Sequence, residues 1–350
     1  MKRPLTYLKD NWLYLAVLAF LIAFPFLVGA LTNSSPYGVQ RGSRLIMIGP
    51  AVYWMSVVIE VFALAVLVMS YNLMFGFTGV VSFGHALFFG LGGYLLGLLL
   101  QYTDLPPDVG FLLGVVVVLA ACAVIGFGIG LISLRLRGVY FAIFTLAVAE
   151  MVWIYFGRLP LTNGEDGFAL SRLPAWIDPT VSRINLYYVG LALFAFTFWL
   201  IRRMVRSPLG TVWVGMRENE ERAQALGYNT LAYKLVAIIV AGMLAGTAGI
   251  LHSVLAKKIG PEILGVSYTV EALLMTIIGG AGTFTGPVIG AAGIEIADTL
   301  LRDARLTIGT VTLNIGESWT TILGVLFVLV VMIFPYGVVG TWMRWRQRKR

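Results

Sequence analysis

Seven ionisable side chains stand inside or at the edges of apolar sequence: Glu60, His85, Glu150, His252, Glu271, Glu295 and Asp298. Such groups are costly against lipid, so they face protein or water, where they could carry protons, ions or a polar solute. Glu295 and Asp298 lie three apart on one helix face and read as an interfacial or intersubunit pair. Glu271 opens a short segment that runs into the glycine-rich break Gly279-Gly280-Ala281-Gly282-Thr283-Phe284-Thr285-Gly286-Pro287. It reads either as a pathway residue or as a carboxylate placed to favour its helix dipole. His85 follows Ser82-Phe83-Gly84, just behind a second break at Gly76-Phe77-Thr78-Gly79, and either lines a path or is a satisfied structural group. Backbone freed by such breaks is tolerated only against protein or water, and transporters place breaks beside their substrate sites. Asn72, Ser82, His85 and Glu271 are therefore the candidate pathway residues.

Other chemistry finds little support. Cys122 is the one cysteine, which excludes a disulfide framework, an iron–sulfur cluster and a cysteine-rich zinc site. Two histidines argue against a histidine-based metal site. The break at 279–287 lacks the Gly-Lys-Ser/Thr ending of a phosphate-binding loop and follows no soluble strand, so it is not a nucleotide cradle. No catalytic residues or metal ligands emerge, and the chain is expected to be no enzyme. The net charge of +8 could suggest nucleic acid, but the basic residues are scattered and flank apolar runs. The tail Trp345-Arg346-Gln347-Arg348-Lys349-Arg350 reads instead as an anchor against anionic membrane lipid.

The elements that hold these residues follow from composition. The chain is 59% hydrophobic and 12% charged with mean hydropathy +0.88, against about 25% charged in soluble domains. Uncharged runs at 11–40, 109–134, 184–201, 235–256 and 318–343 can each supply one span of about 20 residues. The uncharged stretch 61–103 would run about 65 Å as a helix, which is two crossings. Residues 138–156 give one more, and 266–301 give two short segments. Leu13–Leu31 is long, contains Pro25 and lacks a small-residue cleavage site, so it is expected to remain as a span. The reading is an all-α polytopic membrane protein of about ten transmembrane helices, one domain over 1–350. With both termini in the cytoplasm, 16 of the 25 Lys and Arg residues fall on that side, as the positive-inside rule requires. The 40 glycines are read mostly as helix-packing positions, as in Gly242-Met243-Leu244-Ala245-Gly246.

The segment 202–234 differs from every other connection, being long and dense in charge. Ser207-Pro208 offers an N-cap followed by proline at the first helical position. The helix formers of Met216–Leu226 follow, and Gly227 suits a C-terminal cap. Adjacent spans need no such connection. It reads as a docking element for a cytoplasmic partner, and 157–183 as the matching extracytoplasmic loop.

At these residues the sequence resembles a known family. Glu221-Arg222-Ala223-Gln224-Ala225-Leu226-Gly227 looks like the E-A-A-x-x-x-G coupling loop of bacterial ABC importer permeases, with Arg222 in place of the first alanine. The longer string Ser207–Gly227 resembles the LivM-type permease of branched-chain amino acid importers. So do Gly76–Ala86, Leu134-Arg135-Leu136-Arg137-Gly138-Val139-Tyr140-Phe141-Ala142 and Gly279–Pro287, in the family's order. Thr211 stands where the family often has a basic residue, and Thr162–Gly167 matches the outer loop more loosely. The resemblance implies one permease half, paired with a LivH-type chain, two cytoplasmic ATPases that bind ATP and Mg, and an extracytoplasmic solute-binding protein. It assigns ATPase coupling to Arg217, Glu218, Glu221, Arg222, Ala223 and Gly227. Relatives of this class carry urea, short amides or small carboxylates, which are alternative substrates. A proton-coupled carrier using Glu60, Glu150 or Glu271 would explain the acids but leave 202–234 without a purpose.

The topology has a direct check. A cysteine replacing Glu220 should react with an impermeant reagent only from the cytoplasm, and one replacing Asp166 only from outside. Labelling of both from one side would refute the ten-span arrangement.

Overall fold

The computed structural model describes residues 4–41, 44–136, 138–302, 305–308, 311–314, 319–334 and 337–348. Lys2, Arg3, Arg137, Lys349 and Arg350, which enter the count of basic residues, lie outside the described residues. The uncharged runs form helices: α1 (Pro4–Thr32), α2 (Pro50–Asn72), α3 (His85–Tyr102), α4 (Pro107–Ser133), α5 (Val139–Arg158) and α6 (Arg183–Val205). Two short helices follow, α7 (Pro208–Glu218) and α8 (Glu220–Ala225), and then α9 (Thr230–Ala256). The chain continues through α10 (Val266–Gly279), α11 (Gly286–Arg302), α12 (Trp319–Ile333) and α13 (Gly337–Arg348). Among the described residues, seven helices are long and apolar enough to cross a membrane: α1 to α6 and α9. The shorter α10, α11 and α12, of 14, 17 and 15 residues, stand where three further crossings are expected. The protein is thus an all-α polytopic membrane protein.

Burial divides the helices into a centre and a rim. The most apolar windows of α2, α3 and α9 are 67%, 72% and 61% buried, whereas those of α1 and α5 are 6% and 17%. Rim helices therefore turn apolar surface outward, where lipid covers it without penalty. The centre is held by close backbone approach. A β-carbon at Gly92 would sit 2.0 Å from the Gly246 carbonyl oxygen, and one at Gly249 would sit 1.7 Å from the Phe89 carbonyl oxygen. α3 and α9 can meet this closely only because neither position carries a side chain.

The same glycine face sets the depth of α10. Gly97 packs on Ile259, and Gly90 packs on Leu264. Twelve residues of α3 separate Gly90 from Tyr102, so α10 starts about 18 Å below the far end of α3. The sequence foresees two short segments here, but not that the first begins at mid-depth.

Consecutive long helices alternate in direction. The alternation puts α7 and α8 at one end of the bundle, together with the links 79–84 and 280–285. Three antiparallel strand pairs lie toward the other end: β1 (Val39–Arg41) with β2 (Arg44–Ile46), β3 (Phe168–Ala169) with β4 (Lys258–Ile259), and β5 (Arg305–Ile308) with β6 (Val311–Asn314). The loop around β3 is pinned by Asp178. Its carboxylate accepts from Lys257 Nζ at 3.0 and 2.9 Å and from the Thr180 backbone N–H at 2.8 Å. Burial alone would raise the Asp178 pKa, but the Thr180 and Lys257 hydrogen bonds override it and hold the carboxyl below its ordinary value.

Two outcomes follow from this packing. Gly249→Val should destabilise the bundle by about 3 kcal/mol or more, because backbone must move to admit it. Gly128→Val on α4, where nothing lies within 4 Å, should stay within about 0.5 kcal/mol. Size-exclusion after heating in detergent compares the two. A carboxyl lowered in the folded state stabilises above the ordinary carboxylate range, near about pH 4, and that stabilisation is lost as pH falls through the lowered value. Protection of the amides over 168–182, taken relative to their intrinsic exchange at each pH, should therefore fall at acid pH, and Asp178→Asn should show the lower protection and faster exchange already at pH 7. Unchanged exchange in that variant would remove the pinning role.

Candidate coupling and translocation site

The charged segment folds as two helices, although its propensity reads as one. Ser207 takes the N-cap position of α7 and Pro208 the first helical position, but no side-chain cap forms: the Ser207 hydroxyl donates back to the Met204 carbonyl at 2.6 Å. Trp213 and Met216 form the buried face of α7, and Trp213 Nε1 donates to the Tyr233 carbonyl at 2.8 Å. Asn219 then leaves the helix with extended backbone, and its Oδ1 accepts the Arg222 N–H at 2.8 Å. This local cap is what divides the run. Gly227 closes α8 at φ +87°, its N–H reaching the Gln224 carbonyl at 2.9 Å. Ala223 is buried, while Glu218, Glu221, Arg222, Gly227 and Leu226 are exposed. Lys234 pairs with Glu220 at 2.6 Å, tying α8 to α9.

Both broken spans reach this end. α2 does not stop at Asn72 but widens into a π-helical turn, Leu73–Thr78, before Gly79 takes a left-handed conformation. The second break, beyond Gly279, lies against it. Asn72 Nδ2 donates to the Thr283 carbonyl at 3.0 Å, and its Oδ1 accepts the Gly282 N–H at 2.8 Å. The Arg217 guanidinium of α7 donates to the Gly76 carbonyl. The rings of Phe77 and Phe284 lie 5.6 Å apart, and the Arg206 guanidinium stands 5.7 Å over Phe284. Only glycine fits this joint: a side chain at Gly76 would strike Asn72 and the Gly282 amide, and one at Gly282 would strike Arg217.

The four pathway candidates occupy different settings. Asn72 clamps the second break. Ser82 is buried beside a cavity with room for about one water, lined also by Ser133, Phe141 and Thr145. His85 is fully buried, with Nε2 2.7 Å from Ser70 Oγ. Because the Ser70 hydroxyl donates to the Leu67 carbonyl, at 2.6 Å, the imidazole must be the donor between them. Glu271 is exposed on α10.

Sequence reasoning missed two arrangements. Arg217, which the resemblance assigns to coupling, is exposed and also reaches the backbone of α2; no sequence signal marks a carbonyl freed by a π turn. Glu60 Oε1 and His252 Nδ1 lie 2.6 Å apart across α2 and α9, with the Tyr268 hydroxyl 3.4 Å from His252 Nε2. Their placement in apolar sequence marked both ionisable groups, but nothing in the sequence pairs them.

Comparison with known proteins agrees with this architecture. Residues 53–335 match the family described as branched-chain amino acid transport system / permease component. The chain is 27% identical to the high-affinity branched-chain amino acid transport system permease protein LivM of Salmonella typhimurium, over 94% of this chain and 75% of that protein. A probable LivM of Methanocaldococcus jannaschii is 23% identical over 77% of this chain and 88% of its own length. LivH of Escherichia coli is 22% identical over 79% and 91%. No solved structure matches the chain. A multi-pass inner-membrane protein with this match belongs to the branched-chain amino acid ABC importer permease family, whose members are transporter components and not enzymes.

Proposed function

We propose that this chain is one half of the transmembrane path of an ATP-driven, binding-protein-dependent importer of branched-chain or related amino acids. A LivH-type chain supplies the other half, as the matches to both LivM and LivH support. Two cytoplasmic ATPases dock on the exposed faces of α7 and α8 and bind the ATP and Mg. A solute-binding protein delivers the substrate at the opposite end, beside the 157–183 loop. This chain contributes no catalytic group and holds no cofactor.

The observation that carries this reading is the Arg217 contact. α7 offers Glu218 outward and, one residue earlier on the chain, holds the Gly76 carbonyl inward. Through Asn72 the same joint grips the tip between α10 and α11. A displacement of α7 by the ATPases is thus passed to both interrupted spans without a flexible linker between. The arrangement favours an ATPase-coupled permease over a proton-coupled carrier, which has no use for an exposed helix pair joined to its broken spans.

Co-purification and reconstitution test the proposal. The intact complex should bring an ATPase with it and should import L-leucine into proteoliposomes only with ATP. Arg217→Ala deletes a charged hydrogen bond of about 1.5–3 kcal/mol, so uptake should fall about tenfold or more while ATP hydrolysis persists. Replacing Glu221 or Gly227 with a bulky residue should likewise separate hydrolysis from uptake, with insertion of the chain unchanged. Absence of any ATPase partner, or normal coupled uptake in all three variants, would overturn the assignment.

A further inference from the structure

The Glu60–His252 contact has no part in the joint at the α7–α8 end. Glu60 lies ten residues from Pro50 and twelve from Asn72, so about 15 and 18 Å from the two ends of α2. His252 belongs to α9, and Tyr268 stands in the first turn of α10, the helix that begins at mid-depth. The three side chains therefore meet near the middle of the bundle. The Phe89 ring flanks them, 5.3 Å from the His252 ring and 5.1 Å from that of Tyr268. The pair is not sealed: the side chains of His252 and Glu60 keep 16% and 19% of their surface accessible. Glu271 and Glu295, from α10 and α11, are within electrostatic reach of His252 and Tyr268.

A purely structural link between α2 and α9 would be better made by apolar packing, because a desolvated ion pair gains little over an apolar pair of the same size. Ionisable groups within a membrane bundle mark a solute route instead. The chemistry here is specific. Glu60 and His252 share one hydrogen bond at 2.6 Å. A solute bearing only a carboxylate brings no cation to Glu60 in its place. An ammonium group is drawn to Glu60 and to the faces of Phe89 and Tyr268, while a carboxylate on the same molecule finds donors in the His252 imidazole and the Tyr268 hydroxyl.

We infer that Glu60, His252 and Tyr268, flanked by Phe89, form a transit site at mid-membrane that takes the ammonium and carboxylate groups of a zwitterionic amino acid. The inference rests on the proposed importer function and names the solute class that its path admits. Passage exchanges the Glu60–His252 contact for two contacts to the solute and restores it on release, so occupancy is weak and brief.

Saturation-transfer NMR on the permease with its partner chains in nanodiscs tests this without the solute-binding protein. L-leucine should give a signal saturating at millimolar concentration. 4-Methylpentanoate, the same skeleton without the ammonium group, should give none. Glu60→Gln and His252→Gln should each weaken the leucine signal about tenfold or more, and Glu60→Asp should restore part of it. If the pair only braces α2 against α9, both variants will yield less assembled complex, but what assembles will bind leucine as the unaltered protein does. That result, or equal signals from leucine and 4-methylpentanoate, overturns the inference. A complex that shows no ATP-dependent leucine uptake overturns the importer reading; one that imports leucine yet binds it unchanged in both variants overturns only the transit site.

Discussion

Inside a bilayer every backbone donor and acceptor needs a partner, and an interrupted helix leaves several without one. Asn72 and Arg217 supply those partners here. Asn72 spends both halves of its amide on the backbone of residues 282 and 283, and Arg217 reaches the carbonyl of Gly76. With them in place, two breaks that would each be intolerable against lipid become one compact joint. The π-helical turn at Leu73–Thr78 belongs to the same solution, since it turns the end of α2 so that Gly76 faces the incoming guanidinium.

The rest of the architecture works around that joint. α2 is buried along most of its length, and α3 and α9 approach so closely that glycine is required at Gly92 and Gly249, while Gly246 makes room for Cys122 of α4. This centre is a rigid partner for the shorter α10–α11 pair. At the α3 end the pair is capped by a cross-helix contact, Thr269 Oγ1 accepting the Ala86 N–H at 2.8 Å, which satisfies a donor that the first turn of α3 cannot use. The half-length hairpin is therefore held at its tip and near its start, with its open flank carrying Glu271.

The spans were legible because a bilayer imposes a length and a polarity that appear directly in the sequence. The helix start at Ser207-Pro208 and the left-handed Gly227 were legible for a similar reason, each being a local constraint on local residues, although Ser207 makes no side-chain cap. The division of α7 from α8 was not, because Asn219 prefers its own side-chain contact to Arg222 over helix continuation, and propensity averaged over the run conceals that choice. The depth of α10 was hidden because hydropathy reports burial in lipid without reporting level. Glu60 and His252 stood out as ionisable groups, but they lie 192 residues apart and only the packing of α2 on α9 brings them together. The contact of Arg217 with Gly76 depends on a carbonyl that no side chain announces.

Both contacts at the joint are made to main-chain atoms. Every amino acid offers the same carbonyl and, proline apart, the same amide, so neither contact constrains what chemistry the loops at 76 and 282 display. Size and backbone conformation are restricted, because anything larger than hydrogen at Gly76 or Gly282 collides with the clamp, and Gly282 lies at φ +77°. Chains that differ in nearly every side chain around it can consequently build the same joint. Side chains beyond that contact can therefore vary without unmaking the joint.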